Sequence, residues 1–180
     1  MDGSLILLFL LLQRLFEMRL ARKNERRMRA QGAVEIAART YPPMVAMHLF
    51  FFLFLAGESW PWHMDWNARS LSLLGALLLL QGLRYWCIAS LGPFWNTRIL
   101  VLPGSRARRR GPYRLLRHPN YLAVTLELAL LPALLGAPLT LFLFAPLNLL
   151  ILRQRIRLEE AGLKEHTDYS QAFEEVSTAG

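Results

Sequence analysis

Two short stretches of the sequence carry side chains that could hold and orient a reactive ligand. Residues 111–121 supply Tyr113, His118 and Tyr121, and residues 155–160 supply Arg155, Glu159 and a second carboxylate. Side chains three or four positions apart share a helix face. An imidazole and a phenol on one face, and a guanidinium and a carboxylate on the other, could bind a cation, orient an anionic oxygen and move a proton. Arg155 and Glu159 alone would be an ordinary helical ion pair.

The two apolar blocks that lie between these stretches, 121–136 and 138–152, explain how they could meet. Only Gly136-Ala137-Pro138 separates the hydrophobic runs. So short a connection predicts a tight antiparallel helical hairpin, and Pro119 suits the first turn of its first helix. The hairpin would bring both stretches to one membrane surface, where they form a pocket.

The remaining sequence predicts the elements that position this pocket. Of the 180 residues, 54% are hydrophobic and 19% charged, against about 45–50% and about 25% in typical soluble chains. Three more apolar blocks precede the hairpin, at 4–16, 43–57 and 70–90. A span takes about 20 residues, so the shorter blocks need flanking aromatic residues. We expect an all-α, polytopic membrane helical bundle with about five transmembrane helices, and a soluble bundle of very apolar helices is the alternative.

The basic residues predict the orientation of such a bundle. Seven Lys and Arg residues lie in segment 17–42, seven in 91–120 and four after the last block, whereas the opposite side carries Arg69 alone. Because cytoplasmic loops are rich in Lys and Arg, the N-terminus is expected outside and the C-terminus in the cytoplasm, across the cell inner membrane. The lipid bilayer is therefore an expected partner.

Several other function classes are excluded or disfavoured. The arginine-rich run 106–110 would suggest nucleic acid in a soluble protein. Between apolar blocks it is explained as a topology signal that can touch lipid headgroups, or as a cap on an anionic ligand, and we expect no nucleic-acid partner. The single Cys87 excludes an intramolecular disulfide and a cysteine-cluster zinc site, and no metal site is expected. No Gly-rich dinucleotide fingerprint is present.

Four polar residues interrupt the apolar blocks: His48, Arg84, Glu127 and Asn148. Ionisable groups inside a span are costly and usually functional. Helix geometry places all four at a similar depth below the cytoplasmic surface, so we expect one polar layer in which Arg84 pairs with Glu127. The layer either lines the substrate pocket or only fixes helix packing, and the sequence leaves both open.

Taken together, these motifs resemble the integral-membrane isoprenylcysteine carboxyl methyltransferases and their bacterial relatives. That family shares a G-x-Y…R-H-P-x-Y core, a helical hairpin and an R-I-x-x-E-E stretch, all present in order within residues 92–173. The first half of this sequence resembles the bacterial branch of the family in particular. Four short motifs carry that resemblance: Gln13-Arg14-Leu15 with Glu17, Lys23-Asn24-Glu25, Tyr41-Pro42 and Phe94-Trp95-Asn96-Thr97. That branch includes enzymes resembling the alkylpyrone and alkylresorcinol O-methyltransferases.

The resemblance implies a single methyltransferase domain over 1–180, with three spans in 1–91 and a cofactor-binding catalytic half in 92–180. It implies S-adenosylmethionine as the cofactor, a lipophilic acceptor, and a type III polyketide synthase as supplier of that acceptor. Arg155, Glu159 and His118 would be catalytic, and Arg155 would face the acceptor. Independently of the resemblance, the polar-layer argument makes Arg84, Glu127, His48 and Asn148 candidate substrate-binding residues. The implied cofactor contacts are Tyr113, His118, Pro119, Asn120, Tyr121 and Glu159. Ala123 replaces a glycine frequent in the family.

The acceptor and the proton chemistry remain open at this stage. An acidic enol or carboxylate is ionised at neutral pH and needs no base, whereas a phenol needs one, for which His118 and Glu160 are the nearest groups. Isoprenylcysteine methylation, phospholipid N-methylation, a sterol-type reductase and a non-enzymatic lipid-binding protein are the alternatives. A reductase would bind NADPH in place of S-adenosylmethionine.

Overall fold

The computed structural model describes residues 3–174, and each of the five apolar blocks lies in its own long helix. This confirms the predicted all-α bundle. The ends of the predicted 1–180 domain lie outside the described residues. The helices are α1 (Gly3–Ala30), α2 (Tyr41–Glu58), α3 (Ala68–Leu91), α4 (Pro119–Leu135), α5 (Pro138–His166) and the short α6 (Tyr169–Glu174).

Three segments within the described residues are long and apolar enough to cross a membrane: Ala38–Glu58, Ala68–Phe94 and Pro138–His166. α4 is apolar but has only 17 residues. In α1 an apolar first half continues without a break into a second half rich in arginine. The chain is thus a multi-pass membrane protein, and α4 packs along both α3 and α5.

Local sequence signals define the helix ends. Pro119 and Pro138 occupy the first turns of α4 and α5, where a missing N–H costs nothing. Gly136 ends α4 with a φ of 68°, a left-handed conformation that glycine adopts without a steric penalty. The Gly136-Ala137-Pro138 connection therefore forms the tight antiparallel hairpin that its length predicts.

The ends of the helices gather at two faces of the bundle. At the hairpin face, the Gly3 amide donates to the Trp62 carbonyl at 2.7 Å, and Glu58 accepts hydrogen bonds from the first turn of α5. At the opposite face, two short antiparallel strands pair with each other, β1 (Val34–Glu35) and β2 (Leu100–Val101). This second face carries the arginine-rich segments, and we call it the basic face.

The apolar core lies between α2, α4 and α5 near the hairpin face. Phe51 of α2 is fully buried and meets Phe144 of α5 edge to face, with 5.7 Å between ring centroids. Large apolar side chains also point outward, including Leu79 and Phe142, which are 79% and 75% exposed. A continuous apolar exterior of this kind is typical of a lipid-facing surface.

Candidate active site

An open cleft lies at the basic face, between the α3–α4 loop and the adjacent ends of α4 and α5. It consists of two adjoining, open cavities that share Tyr113, His118 and Glu159 among their lining residues. Pro119, which was expected to contact a cofactor, is buried in the first turn of α4 and lines neither cavity. The other five residues with that predicted role do line the cleft: Tyr113, His118, Asn120, Tyr121 and Glu159.

The position of Tyr113 depends on the glycine two residues before it. Gly111 has a φ of 55°, and a β-carbon there would lie 2.1 Å from Ser90 Oγ and 2.8 Å from Trp86 Nε1. Only glycine allows this turn to pack against α3, and the turn directs Tyr113 into the cleft. Burial, followed by the nearby Cys87 thiol and the Glu159 carboxylate, raises the pKa of Tyr113. The phenol therefore keeps its proton at neutral pH.

Side-chain hydrogen bonds connect the start of α4 to the end of α5. His118 precedes the first turn of α4, and its ring stacks on Tyr121 with 5.5 Å between centroids. Its Nε2 lies 3.0 Å from Glu160 Oε1, and the Tyr121 hydroxyl donates to Glu159 Oε2 at 2.5 Å. The two predicted stretches thus meet: Glu159 is paired with Tyr121 of α4, and Glu160 with His118 just before α4.

Arg155 does not form the helical ion pair with Glu159 that its spacing alone would predict. The residue is 2% exposed, and its guanidinium donates to the Thr97 carbonyl at 2.9 Å and towards Thr40 Oγ1 at 3.4 Å. Glu159 instead accepts from Tyr121, which also interacts with Arg155. Arg155 is therefore fixed by Thr97 and Thr40 and, like Pro119, lines neither cavity.

Some buried polar atoms around the cleft have no hydrogen-bond partner among the described residues. They include Asn120 Oδ1, Trp95 Nε1 and Arg155 Nε, with Asn148 Oδ1 deeper in the bundle. Buried polar groups are normally satisfied, and each exception calls for an explanation. A polar ligand in the cleft would supply the missing partners.

No group of three or more metal-ligating side chains occurs in residues 3–174.

Comparison with known proteins identifies the family to which the chain belongs. Residues 73–165, from α3 through nearly all of α5, match the isoprenylcysteine carboxyl methyltransferase (ICMT) family. The chain belongs to this family. The match covers both stretches that form the cleft. Family members are S-adenosylmethionine-dependent membrane methyltransferases.

Two relatives extend the similarity beyond the matched region. The uncharacterized protein YpbQ of Bacillus subtilis (strain 168) is 40% identical over 91% of this chain and 97% of its own length. An uncharacterized protein of Haemophilus influenzae is 26% identical over 83% of this chain and 88% of its own. No solved structure matches the chain.

Below the cleft of this family member, a second polar cluster links α1, α3 and α4. Arg84 binds both oxygens of Glu17 at 2.6 Å and approaches Glu127 at 3.3 Å. Arg14 bridges the same two carboxylates, 2.8 Å from Glu17 and in direct contact with Glu127. Gln13 and the α3 amide Gln81 complete the cluster. The predicted Arg84–Glu127 contact is present, but Glu17 is the main partner of Arg84.

The predicted polar layer is only partly connected by hydrogen bonds. His48 Nδ1 lies 2.9 Å from the Met44 carbonyl of its own helix, and the ring is close enough to Arg14, Arg84 and Glu127 for their charges to act on it. Asn148 is fully buried and donates to Thr125 Oγ1 at 3.4 Å. Neither residue hydrogen-bonds to the ionic cluster.

Prediction from the sequence missed two parts of this ICMT-family site. One is the wall that the α3–α4 loop contributes, which includes Phe94, Trp95 and Arg98. The other is the α1 contribution to the ionic cluster, above all Glu17. The first apolar block ends at Phe16, so Glu17 was left outside it, although its four-residue spacing from Gln13 is the signal that would have included it.

Proposed function

We propose that the chain is an S-adenosylmethionine-dependent O-methyltransferase whose acceptor is a long-chain alkylpyrone or alkylresorcinol. The observation that carries this proposal is the meeting of Glu159, the cleft phenols and the buried Arg155 at one site. It supports a site with an anionic and aromatic surface for the cofactor above a cationic group for the acceptor.

The cleft residues fit the cofactor chemically. Glu159 would bind its positively charged amino group, and the rings of Tyr113 and Tyr121 would face its sulfonium through cation–π contacts. Asn120 Oδ1 and Trp95 Nε1, which lack partners among the described residues, would take a donor and an acceptor of the cofactor respectively. When bound, S-adenosylmethionine supplies an electrophilic methyl group.

Arg155 would orient the acceptor oxygen. Its Nε–H has no partner within the described part of the chain, while its terminal nitrogens are held by Thr97 and Thr40. A charge-assisted hydrogen bond from Nε to an ionised enol or phenolate oxygen would fix that oxygen beside the cofactor. Holding two reactants in line is worth effective molarities of about 10⁵–10⁸ M, so positioning would supply much of the acceleration.

A phenolic acceptor also needs a proton acceptor, and His118 is placed for that role. Glu160 lies 3.0 Å from His118 Nε2, so the carboxylate would orient the imidazole. Tyr113 is unsuited to act as the base because its pKa is raised. An acidic enol is already ionised and needs no proton removal, so His118 would be required as a base only for a phenolic acceptor.

The acceptor tail would lie in the bilayer and its ring would approach α5 from the side. Asn148 and Arg155 are seven positions apart on one buried face of α5, about 10 Å along the helix axis. Arg155 would contact the acceptor oxygen, and Asn148 would lie deeper along the same face, beside the rest of the acceptor. Under the positive-inside rule the basic face would be cytoplasmic and the N-terminus outside, in the cell inner membrane. A type III polyketide synthase in the same compartment would supply the acceptor.

Calorimetric binding of S-adenosylmethionine and S-adenosylhomocysteine to the detergent-purified protein tests the cofactor assignment. We expect binding by the parent chain, loss of binding in Glu159→Ala, and unchanged binding in Glu165→Ala, whose side chain is 75% exposed. Absence of binding by the folded parent would overturn the proposal and favour a reductase or a lipid-binding protein.

Methyl transfer to a panel of acceptors then tests the substrate assignment. Alkylpyrones, alkylresorcinols, prenylcysteines and phosphatidylethanolamine are compared at equal concentration. Transfer to prenylcysteine alone would replace the polyketide acceptor with the isoprenylcysteine carboxylate, and transfer to phosphatidylethanolamine alone would replace O-methylation with N-methylation.

A further inference from the structure

One wall of the cleft is held in place by the N-terminal half of the chain. The wall is the start of the α3–α4 loop, residues 92–101. Asn24 of α1 donates to the Gly92 carbonyl at 3.1 Å and to the Trp95 carbonyl at 2.7 Å. Asn96 donates in turn to the Ala21 carbonyl of α1 at 3.3 Å. These contacts fix the beginning of the wall against the last turns of α1.

The α1–α2 loop holds the rest of the wall by backbone pairing. β1 pairs with β2, and beyond the strands the Ile36 amide donates to the Ile99 carbonyl at 2.9 Å. The Ile36 side chain packs on Gly162 of α5, where an added β-carbon would lie 2.7 Å from Ile36 Cγ1. The α1–α2 loop is therefore inserted between the cleft wall and α5. We call residues 34–41 and 95–101 the clasp.

Charged side chains reinforce the clasp. Arg98 donates to Glu35 at 2.7 Å and lies 3.4 Å from Glu25, and Arg29 pairs with Glu35 from the other side. The Arg98 guanidinium also covers the Tyr41 ring at 4.1 Å. Although burial alone would raise it, hydrogen bonds from Arg98 and Arg29 hold the pKa of Glu35 below its usual value. Glu35 is the carboxylate that joins both arginines.

The clasp also provides the groups that hold Arg155. Thr97 accepts from the Arg155 guanidinium through its carbonyl at 2.9 Å, and the Thr40 hydroxyl lies 3.4 Å from the same group. The Tyr41 hydroxyl lies 3.4 Å from Thr97 Oγ1. A shift of the clasp would therefore move both the cleft wall and the guanidinium beneath it.

We infer that Glu35 and Arg98 are positioning residues for the active site. Neither is expected to touch the reacting atoms: they hold the clasp, and the clasp sets the cleft wall and the orientation of Arg155. The inference rests on the proposed function, because the cleft must be the cofactor site. Glu35 lies outside residues 73–165, the part that matches the family, so the segment that holds the cleft wall comes from the first half of this chain.

Four variants of the full-length protein test the inference, and one of them, Glu35→Asp, keeps the negative charge at position 35. Glu35→Gln removes the charge that both arginines share, Gly162→Ala displaces Ile36 by a route that leaves the ion pairs intact, and Glu165→Gln is the exposed control. Amide hydrogen exchange over 95–101 is measured without ligand, S-adenosylhomocysteine binding by calorimetry, and thermal unfolding by circular dichroism.

Glu35→Gln and Gly162→Ala should each speed exchange across 95–101 and raise the dissociation constant about tenfold, a change of ordinary size for a lost charged hydrogen bond. In both variants the kcat of methyl transfer should fall and the KM for the cofactor should rise, while the unfolding temperature should stay close to that of the parent. The Glu35→Asp variant should resemble the parent in exchange, binding and kcat. If the parent binds the ligand and both variants bind it equally well, the positioning role is wrong while the proposed function stands. If the parent does not bind, the proposed function fails first.

Discussion

The cleft and the buried ionic cluster are both rich in charge, but they differ in how their charged groups are paired. In the cluster, Arg14 and Arg84 balance Glu17 and Glu127, and each charge meets an opposite one, although the amide oxygen Gln13 Oε1 has no partner among the described residues. Around the cleft, Arg155 Nε and Asn120 Oδ1 are buried without a partner among the described residues. A cluster that satisfies its own charges stabilises helix packing, whereas unpartnered groups beside an open cavity indicate a ligand site.

The largest expected effect separates the two regions by stability. Arg84→Ala would leave Glu17 and Glu127 with one cation between them in an apolar bundle, and breaking a buried pair costs about 3–5 kcal/mol. We expect a large fall in unfolding temperature in detergent, measured by circular dichroism, and a smaller one for Arg69→Ala. An unchanged unfolding temperature would show that the cluster is not structural.

A swap of charges within the cluster sharpens the same point. If Arg84 and Glu127 formed an isolated pair, exchanging them would restore stability. Because Glu17 binds Arg84 through both oxygens, a glutamate at position 84 would face a second carboxylate. We therefore expect the double variant to be no more stable than either single variant.

A substitution at the cleft should reduce activity far more than stability, the reverse of what we expect in the ionic cluster. Arg155→Ala should reduce kcat about 10²–10³-fold, as expected when a donor to a developing or anionic oxygen is removed, with a much smaller change in unfolding temperature than Arg84→Ala. Methyl transfer and thermal unfolding are measured side by side, with exposed Arg157→Ala as the matched control. Equal destabilisation by the two arginine variants would remove the distinction between the regions.

Within the cleft, His118→Ala should distinguish acceptors. We expect a loss of about 10²-fold with a phenolic acceptor, because the phenol needs a base, and little loss with an acidic pyrone enol, which is already ionised. The ratio of kcat/KM for the two acceptors is the measurement, and Glu160→Gln should change it in the same direction by less. An equal loss with both acceptors would mean that His118 only binds the cofactor.

The smallest effect concerns Asn148, which lies between the two regions. Because its Oδ1 is buried without a partner in the described structure, Asn148→Leu should change stability little or raise it slightly. We expect the acceptor KM to rise several-fold while cofactor binding stays constant, as judged by steady-state kinetics and calorimetry. Unchanged acceptor KM would assign Asn148 to packing with Thr125.

The parts of this architecture that were predictable from the sequence are those that depend on local signals. Apolar blocks, Pro119 and Pro138 at helix starts, and the three-residue connection at Gly136 each determine their own structure within a few positions. The meeting of His118 and Tyr121 with Glu159 followed from the hairpin. The clasp could not be predicted in this way, because β1 and β2 are two residues each and form only through pairing across 65 positions.

The ionic cluster shows a second reason why some contacts could not be predicted from the sequence. Its four charges lie on three helices, and which carboxylate binds Arg84 depends on the rotation of α1, for which the sequence carries only a weak signal. Arg155 illustrates the converse: its spacing from Glu159 predicts a helical pair, but the carbonyl of Thr97 competes successfully because the loop folds over it. Tertiary contacts decided both partners.

The two carboxylate oxygens of Glu58 have a mechanical consequence. They accept the Leu139 and Thr140 amides at the start of α5, both at 2.7 Å, while Thr40 at the other end of α2 faces Arg155. α2 is thus tied to α5 near both ends and the pair should behave as one stiff beam. α4 is joined to α5 covalently at Gly136, by the Asn148–Thr125 hydrogen bond at mid-helix, and by the side-chain contacts at the cleft. A load applied to any one of these helices would therefore be shared by all three.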